Sequence, residues 1–227
     1  MEIFSSDPEF PNIPGLDRLT DEEKSVLKKS CFFVDYKAGE VIFREKTPVT
    51  HLVFLQSGLA KLFQETRDGS KIIISLFAPG SYLGLLTALG DDIYLYSAAA
   101  VENAKAILIN VSQIRSLVES NGAFAIFMLE ETSRRGKLYL SKFIIQSTKH
   151  MPGRVAGMLL FFSEKIYNSR NFLLPLSRTE LAEFSGTTKE SIIRTLSEFK
   201  HDKIINIDDK KVEIISCDLL QKLSEFG

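Results

Sequence analysis

A mixed α+β chain is predicted, running from a small antiparallel barrel or jelly roll, through one long helix, to three helices closed by a β-hairpin. Three observations predict it. Glycines at 39, 58, 69, 80 and 90 punctuate short apolar runs, at the roughly ten-residue spacing of a roll built from many short strands. The next stretch, about Val111 to Lys149, has no proline and only two glycines, Gly122 and Gly136, so it reads as helix. Beyond Met151-Pro152-Gly153 come three helical segments and two strand-like runs, the layout of a winged helix.

Composition sets the outer limits. The 227 residues are 44% hydrophobic and 25% charged, enough apolar matter for real cores and too little polar bias for disorder. Twenty-eight Lys and Arg against 29 Asp and Glu leave a net charge of −1. No global basic field exists, so any nucleic-acid role must rest on a local patch. The longest apolar runs, such as Ile72 to Ala78, are strand-length, which predicts no membrane span. Met1 to Phe10 carries acids and prolines where a signal region would be basic then apolar, so a cytoplasmic location is expected. Cys31 and Cys217 have no CxxC partner and build neither a disulfide framework nor a cysteine-rich metal site.

Each element has a local reason. After a lead containing Pro8, Pro11 and Pro14, Thr20 and Glu23 have the spacing of a capping box that opens a short helix. The strand-like runs are Glu40 to Phe43, His51 to Leu55, Leu59 to Phe63, Ile72 to Phe77, Ala98 to Val101 and Ala106 to Ile109. Arg67-Asp68-Gly69-Ser70 is the clearest hairpin turn. A helix from Ala123 to about Thr148 would be near 39 Å long at 1.5 Å per residue. Phe124, Phe127 and Met128 begin its apolar face. Glu130, Glu131, Arg134 and Arg135 form a polar middle, and Leu138, Phe143 and Ile145 follow. So long an apolar-faced helix is expected to pair with a second copy of itself, the alternative being packing along its own barrel. Met151-Pro152-Gly153 is expected to break it, dividing the chain into domains 1–150 and 151–227.

The strongest signal is Leu176 to Arg194. Ser177 and Glu180 form a second capping box, and Thr187 and Glu190 have the spacing of a third. Between them, Ala182 is small where two helices must approach, and Gly186 suits a tight turn with positive φ. Leu181, Ile192 and Leu196 are expected to face inward, leaving Thr188, Lys189, Glu190, Ser191, Ile193 and Arg194 exposed. Arg and Lys can bond guanine O6 and N7 in the major groove, and Glu can accept from cytosine N4. The hydroxyls of Ser177, Thr188 and Ser191, near helix N-termini, suit phosphate contacts. The bland alternative is a solvated helix whose Glu190 and Arg194 pair at i,i+4. The helix-turn-helix pattern and the wing favour DNA recognition.

From about Thr20 to about Ile215 the chain resembles the Crp/Fnr family of bacterial transcription regulators. The resemblance is most specific over Leu176 to Ile205, with Gly153-Arg154-Val155-Ala156 and Pro79-Gly80-Ser81-Tyr82-Leu83-Gly84 as further anchors. It implies a cyclic-nucleotide-binding-type β-roll, a long dimerisation helix and a C-terminal winged helix-turn-helix that reads a palindrome as a homodimer. Glu190 and Arg194 occupy the family's two base-reading positions, which address a G·C-containing core. Lys189 stands where cAMP-receptor-type members use Arg, and Ile193 where Fnr-type members often place Ser. Ile193 could instead pack on a thymine methyl. RNA polymerase is a further partner the resemblance implies, through loops at Arg67 to Lys71 and Asn168 to Asn171.

The sensor departs from the family pattern. Where cAMP-binding members carry Glu after the Gly84 position, this chain has Leu85. Where they carry Arg before Ser, it has Tyr96-Ser97, and the purine-facing helix positions read Tyr139 and Leu140. A cyclic phosphate without its cation forgoes an interaction of about 1.5–3 kcal/mol, so cAMP in the usual manner is not expected. A pocket lined by Leu85, Tyr96, Tyr139 and Leu140 would take an apolar or aromatic effector, or be filled by its own side chains. Two cysteines fall short of the four an Fnr-type iron–sulfur cluster needs. His150, Met151 and His51 are the available haem ligands, for a haem of the kind that gas-sensing relatives bind. Competing classes are a ligand-binding or scaffolding module without DNA binding, and a jelly-roll enzyme. The second lacks a His/Glu cluster or a Walker-type spacing.

Overall fold

Short apolar strands, several of them buried along most of their length, build the first part of the computed structural model, which describes residues 2–4, 11–67 and 69–227. Pro8 of the N-terminal lead and Asp68 of the hairpin turn lie outside the described residues. The chain divides into two compact units. One runs to Gln64 and includes Ile74–Leu138; the other combines Glu65–Ile73 with Tyr139–Gly227.

The first unit is a β-roll of two antiparallel sheets. The five-stranded sheet contains β1 (Glu2–Phe4), β2 (Cys31–Tyr36), β4 (His51–Ser57), β7 (Ser81–Leu83) and β9 (Ala104–Asn110), in the order β1-β2-β9-β4-β7. The four-stranded sheet orders β3 (Val41–Phe43), β8 (Ser97–Ala100), β5 (Ala60–Glu65) and β6 (Lys71–Phe77) as β3-β8-β5-β6. Register aligns apolar residues across strands, with Val53 opposite Leu83 on one side and Leu108 on the other. Leu52, Leu55, Leu62 and Ile107 are fully buried. The expected strand runs recur with ends shifted by a few residues, and β1, β2 and β7 are strands beyond those runs.

Helix α1 (Asp21–Lys29) starts at the expected capping box. The Glu23 N–H donates to Thr20 Oγ1 at 3.2 Å, and Glu23 Oε2 accepts from the Thr20 N–H at 2.8 Å. That bond holds the Glu23 carboxyl below its ordinary pKa. After α2 (Leu85–Ala88) and α3 (Val111–Ser120) comes α4, Gly122–Thr148, with 27 residues.

The expected apolar face of α4 divides in two. Phe124 and Met128 are buried within the first unit, and the Phe127 ring covers the backbone of Gly15. These residues face their own roll. A different row is exposed: Ile126, Leu129, Ser133, Gly136, Leu140, Phe143 and Ser147. Its spacing alternates three and four residues, the a/d row of a coiled-coil seam.

The second unit holds α5 (Met151–Phe161), which continues as a π-helical turn at Phe162–Ile166. It then holds β10 (Asn171–Leu173), α6 (Arg178–Ser185), α7 (Lys189–His201), β11 (Ile205–Asp208), β12 (Lys211–Ile214) and α8 (Cys217–Phe226). Met151-Pro152-Gly153 does not end the long helix. The break falls at Lys149-His150, and Pro152 sits in the first turn of α5, where its missing N–H costs nothing. The wing gains a third strand, in the order β10-β12-β11, so the stretch expected as a loop ends in strand at Asn171. Phe162, fully buried, stacks on Phe184 with centroids 6.0 Å apart and meets Phe172 edge-on at 6.3 Å. This aromatic knot fixes α6 against α5 and the wing.

Candidate functional site

The α6–turn–α7 unit is built from its caps outward. Ser177 Oγ accepts from the Glu180 N–H at 3.3 Å, while Glu180 Oε2 accepts from the Ser177 N–H at 2.9 Å. Gly186 ends α6 at φ 65°, ψ 50°, a left-handed conformation that glycine adopts without the Cβ penalty. Its N–H and that of Thr187 both donate to the Ala182 carbonyl, and Ala182 is buried where the helices meet.

The third capping box is corrected by one residue. Thr187 lies in the turn, its N–H held by Ala182. Thr188 takes the extended cap conformation and accepts from the Ser191 N–H at 3.2 Å. Glu190 therefore falls at the second helical position, one residue short of the place from which a box glutamate reaches back. Its side chain is left on the exposed face.

That face carries the expected residues. Thr188, Lys189, Glu190, Ile193 and Arg194 are exposed and Ser191 is half-buried, whereas Ile192, Thr195, Leu196 and Phe199 are buried beneath them. Arg194 does not pair with Glu190: its Nε lies 3.9 Å from Glu198 Oε1. At that length between exposed groups the pair is weak, so the guanidinium is easily released. The wing is fixed to both helices, by Arg178 of α6 and Lys200 of α7. Arg178 Nη2 donates to the Asp209 carbonyl at 2.6 Å, and Lys200 Nζ to the Ile207 carbonyl at 2.8 Å. Sequence reading missed the exposed Lys210 and Lys211 at the wing turn; two adjacent cations in a hairpin turn were the available signal.

In the roll, Gly84 stands at φ 81° and caps α2, whose first residue, Leu85, is buried. Ser97 is buried with its Oγ accepting from the Glu45 N–H at 3.0 Å, and Tyr96 is half-buried. Two side chains outside the expected pocket lining stand over Gly84. Phe43 and Tyr94 stack with centroids 4.1 Å apart at 10°, and a Cβ on Gly84 would lie 3.2 Å from the Tyr94 ring. The Tyr94 hydroxyl donates to the His51 carbonyl at 2.5 Å, and burial pushes the phenol up to about 12. Tyr139 and Leu140 belong to the second unit, with Leu140 exposed.

The haem candidates are dispersed in character. His150 is exposed at the cap of α5, and Met151 beside it is half-buried. The His51 ring lies edge-on to Phe32, with Nδ1 2.9 Å from Thr50 Oγ1, and burial lowers its pKa. Among the described residues no three His, Cys, Asp or Glu side chains cluster to hold a metal ion, and no helix is long and apolar enough to cross a membrane.

Comparison with known proteins places these features together. Residues 33–121 match the cyclic nucleotide-binding domain family and residues 153–223 the Crp-like helix-turn-helix domain family. The CRP-like cAMP-activated global transcriptional regulator of Mycobacterium tuberculosis is 23% identical over 202 residues, spanning 87% of this chain and 90% of that protein. The transcriptional activator protein anr of Pseudomonas aeruginosa is 25% identical over 183 residues, spanning 79% and 75%. Among solved structures, FixK2 from Bradyrhizobium japonicum superposes with a TM-score of 0.79 at 20% identity, over 85% of this chain and 96% of that one.

Proposed function

The chain belongs to the Crp/Fnr family of transcription regulators, and from that premise we propose that it binds a palindromic operator as a homodimer, its sensor roll modulating DNA affinity. The observation that carries this reading is the exposed row of Lys189, Glu190 and Arg194 on a helix held by two caps and the Gly186 turn. Arg194 bonds guanine and Glu190 accepts from cytosine. Ile193, 44% exposed between them, packs on a thymine methyl. The hydroxyls of Ser177, Thr188 and Ser191 and the wing lysines Lys210 and Lys211 position the protein on phosphates. Dimerisation uses the Ile126–Phe143 seam of α4, where Ser133 and Gly136 let two helices approach closely.

The sensor takes no cyclic nucleotide in the cAMP-type manner. Leu85 and Tyr96 supply neither a ribose acceptor nor a phosphate cation, and Phe43 and Tyr94 close over Gly84. Two cysteines, Cys31 buried at the start of β2 and Cys217 on α8, do not supply a four-thiolate cluster. An effector, if used, is small and apolar or aromatic. RNA polymerase is the partner at the promoter, and the cytoplasm the place of action.

In-vitro selection from a random duplex pool with the purified protein tests this reading. The expected product is one palindrome with a G·C-containing half-site. Arg194→Ala is expected to cost about 1–3 kcal/mol of specific affinity and to relax preference at one base pair. An unchanged operator affinity in that variant removes Arg194 from the reading face.

A further inference from the structure

The last turn of α6 is held from outside the helix-turn-helix. An α-helix leaves its final carbonyls without helical partners, and here side chains of α4 and α5 satisfy them. Gln146 Nε2 donates to the Phe184 carbonyl at 3.2 Å, and Arg154 Nη1 to the Gly186 carbonyl at 3.0 Å. One turn back on α4, the Lys142 ammonium sits 3.7 Å from the centre of the Phe184 ring. It also donates to the Ile73 carbonyl at 2.7 Å, so one side chain joins the 65–73 hairpin to α6. A cation at a helix C-terminus is also favoured by the helix dipole.

The position of these residues on α4 matters as much as their contacts. Lys142 and Gln146 are spaced i,i+4 and share one face. Leu140 and Phe143, on the proposed pairing seam, lie roughly 60–160° away from them around the same turns. One short stretch of helix therefore meets a partner helix with one face and the end of α6 with another. The α6 end leads through Gly186 and Thr187 directly into the Thr188 cap of α7.

We propose that Lys142 and Gln146 are positioning residues that fix the α6–α7 pair on α4, and so set the half-site spacing at which two reading helices of a dimer meet DNA. The inference rests on the DNA-reading function proposed above. It assigns no base contact to either residue. Rather, the seam dictates how the two α4 helices cross, and the clamp converts that crossing into the separation of two α7 helices.

The test is in-vitro selection from a random duplex pool with full-length wild-type, K142M, Q146L and K142R proteins, followed by affinity for the selected duplex and for versions with the half-site spacing changed by one base pair. The expected result is that K142M and Q146L enrich the wild-type half-site at a broadened range of spacings. They should lose about tenfold in affinity at the wild-type spacing, with K142R close to wild type. The half-site sequence is the control, because loss of fold or of the reading face would erase it. If both variants enrich the wild-type half-site at the wild-type spacing alone, with unchanged affinity, the proposal is overturned. A wild-type protein that enriches no palindrome would instead overturn the reading on which it rests. Should K142M fail to fold, Q146L alone decides, since it leaves the ammonium in place.

Discussion

Lys142 shows how a single residue can be costly for folding and useful for function. Burial pushes its ammonium down to about 7 from the ordinary 10.5, since removing the charge from water is disfavoured. The sign for stability follows. Between about pH 7 and 10.5 the unfolded chain binds the proton and the folded one does not, so stability rises with pH through that window. Below it, the cost of the buried charge is felt in full. K142M lacks this titration. The K142M-minus-wild-type difference in Tm is therefore expected to fall by roughly 2–4 °C or more as pH rises from about 6 to about 9.5. Calorimetry of the two proteins at matched ionic strength measures it, and a pH-independent difference would show that the ammonium is not buried at a cost. At this scale the reading helix was largely legible in sequence: hydroxyl, glycine and glutamate spacings announce caps and turns. The misassigned cap, Thr187 for Thr188, came from the box spacing itself: Glu190 stands three residues after Thr187, and only Ser191 three after Thr188. Only the turn, by engaging the Thr187 N–H with Ala182, decides between them. The Phe43–Tyr94 stack was invisible because it joins residues on separate segments of the roll, and no local spacing encodes that meeting.

Helix α4 shows the same problem one level up. Length, absence of proline and periodic apolar residues made its existence plain. Its orientation was not, because two apolar rows wrap one helix. Phe124 and Met128 belong to the buried row, whereas Ile126, Leu129, Leu140 and Phe143 are 59–65% exposed. Periodicity finds both rows and does not say which one meets the chain's own roll. The exposed row has a consequence for assembly. Burying a side chain of this size contributes about 1.5–3 kcal/mol, and a two-fold interface counts each substitution twice. L129K is therefore expected to weaken dimerisation by roughly a hundredfold or more. Its effect on monomer folding should be small, since Leu129 is exposed within the chain. Sedimentation equilibrium checks the first point and thermal melting the second. An unchanged dimer constant would place the partner elsewhere on the molecule.

For the molecule as a whole, charge is the organising constraint. A net charge of −1 means that DNA cannot be attracted by an overall positive field. Binding must come from where cations are placed. On the side of the reading helix and wing they include Lys189 and Arg194 on α7 and Lys210 and Lys211 at the wing turn, all exposed. In the proposed docking these two groups have different tasks. Base-reading residues carry sequence preference, and wing lysines carry salt-dependent phosphate affinity. Replacing both wing lysines by alanine is expected to reduce the slope of log K against log salt by about 1 for each phosphate no longer neutralised. Affinity should fall almost equally for operator and unrelated duplex, leaving the selected half-site unchanged. Arg194→Ala should do the opposite in kind, costing operator affinity far more than non-specific affinity. Titrations of both variants against both duplexes over a range of salt concentrations separate the two. A wing variant that changed the half-site sequence would make Lys210 or Lys211 a base reader, and the wing, proposed to sit on the backbone, would have to enter a groove.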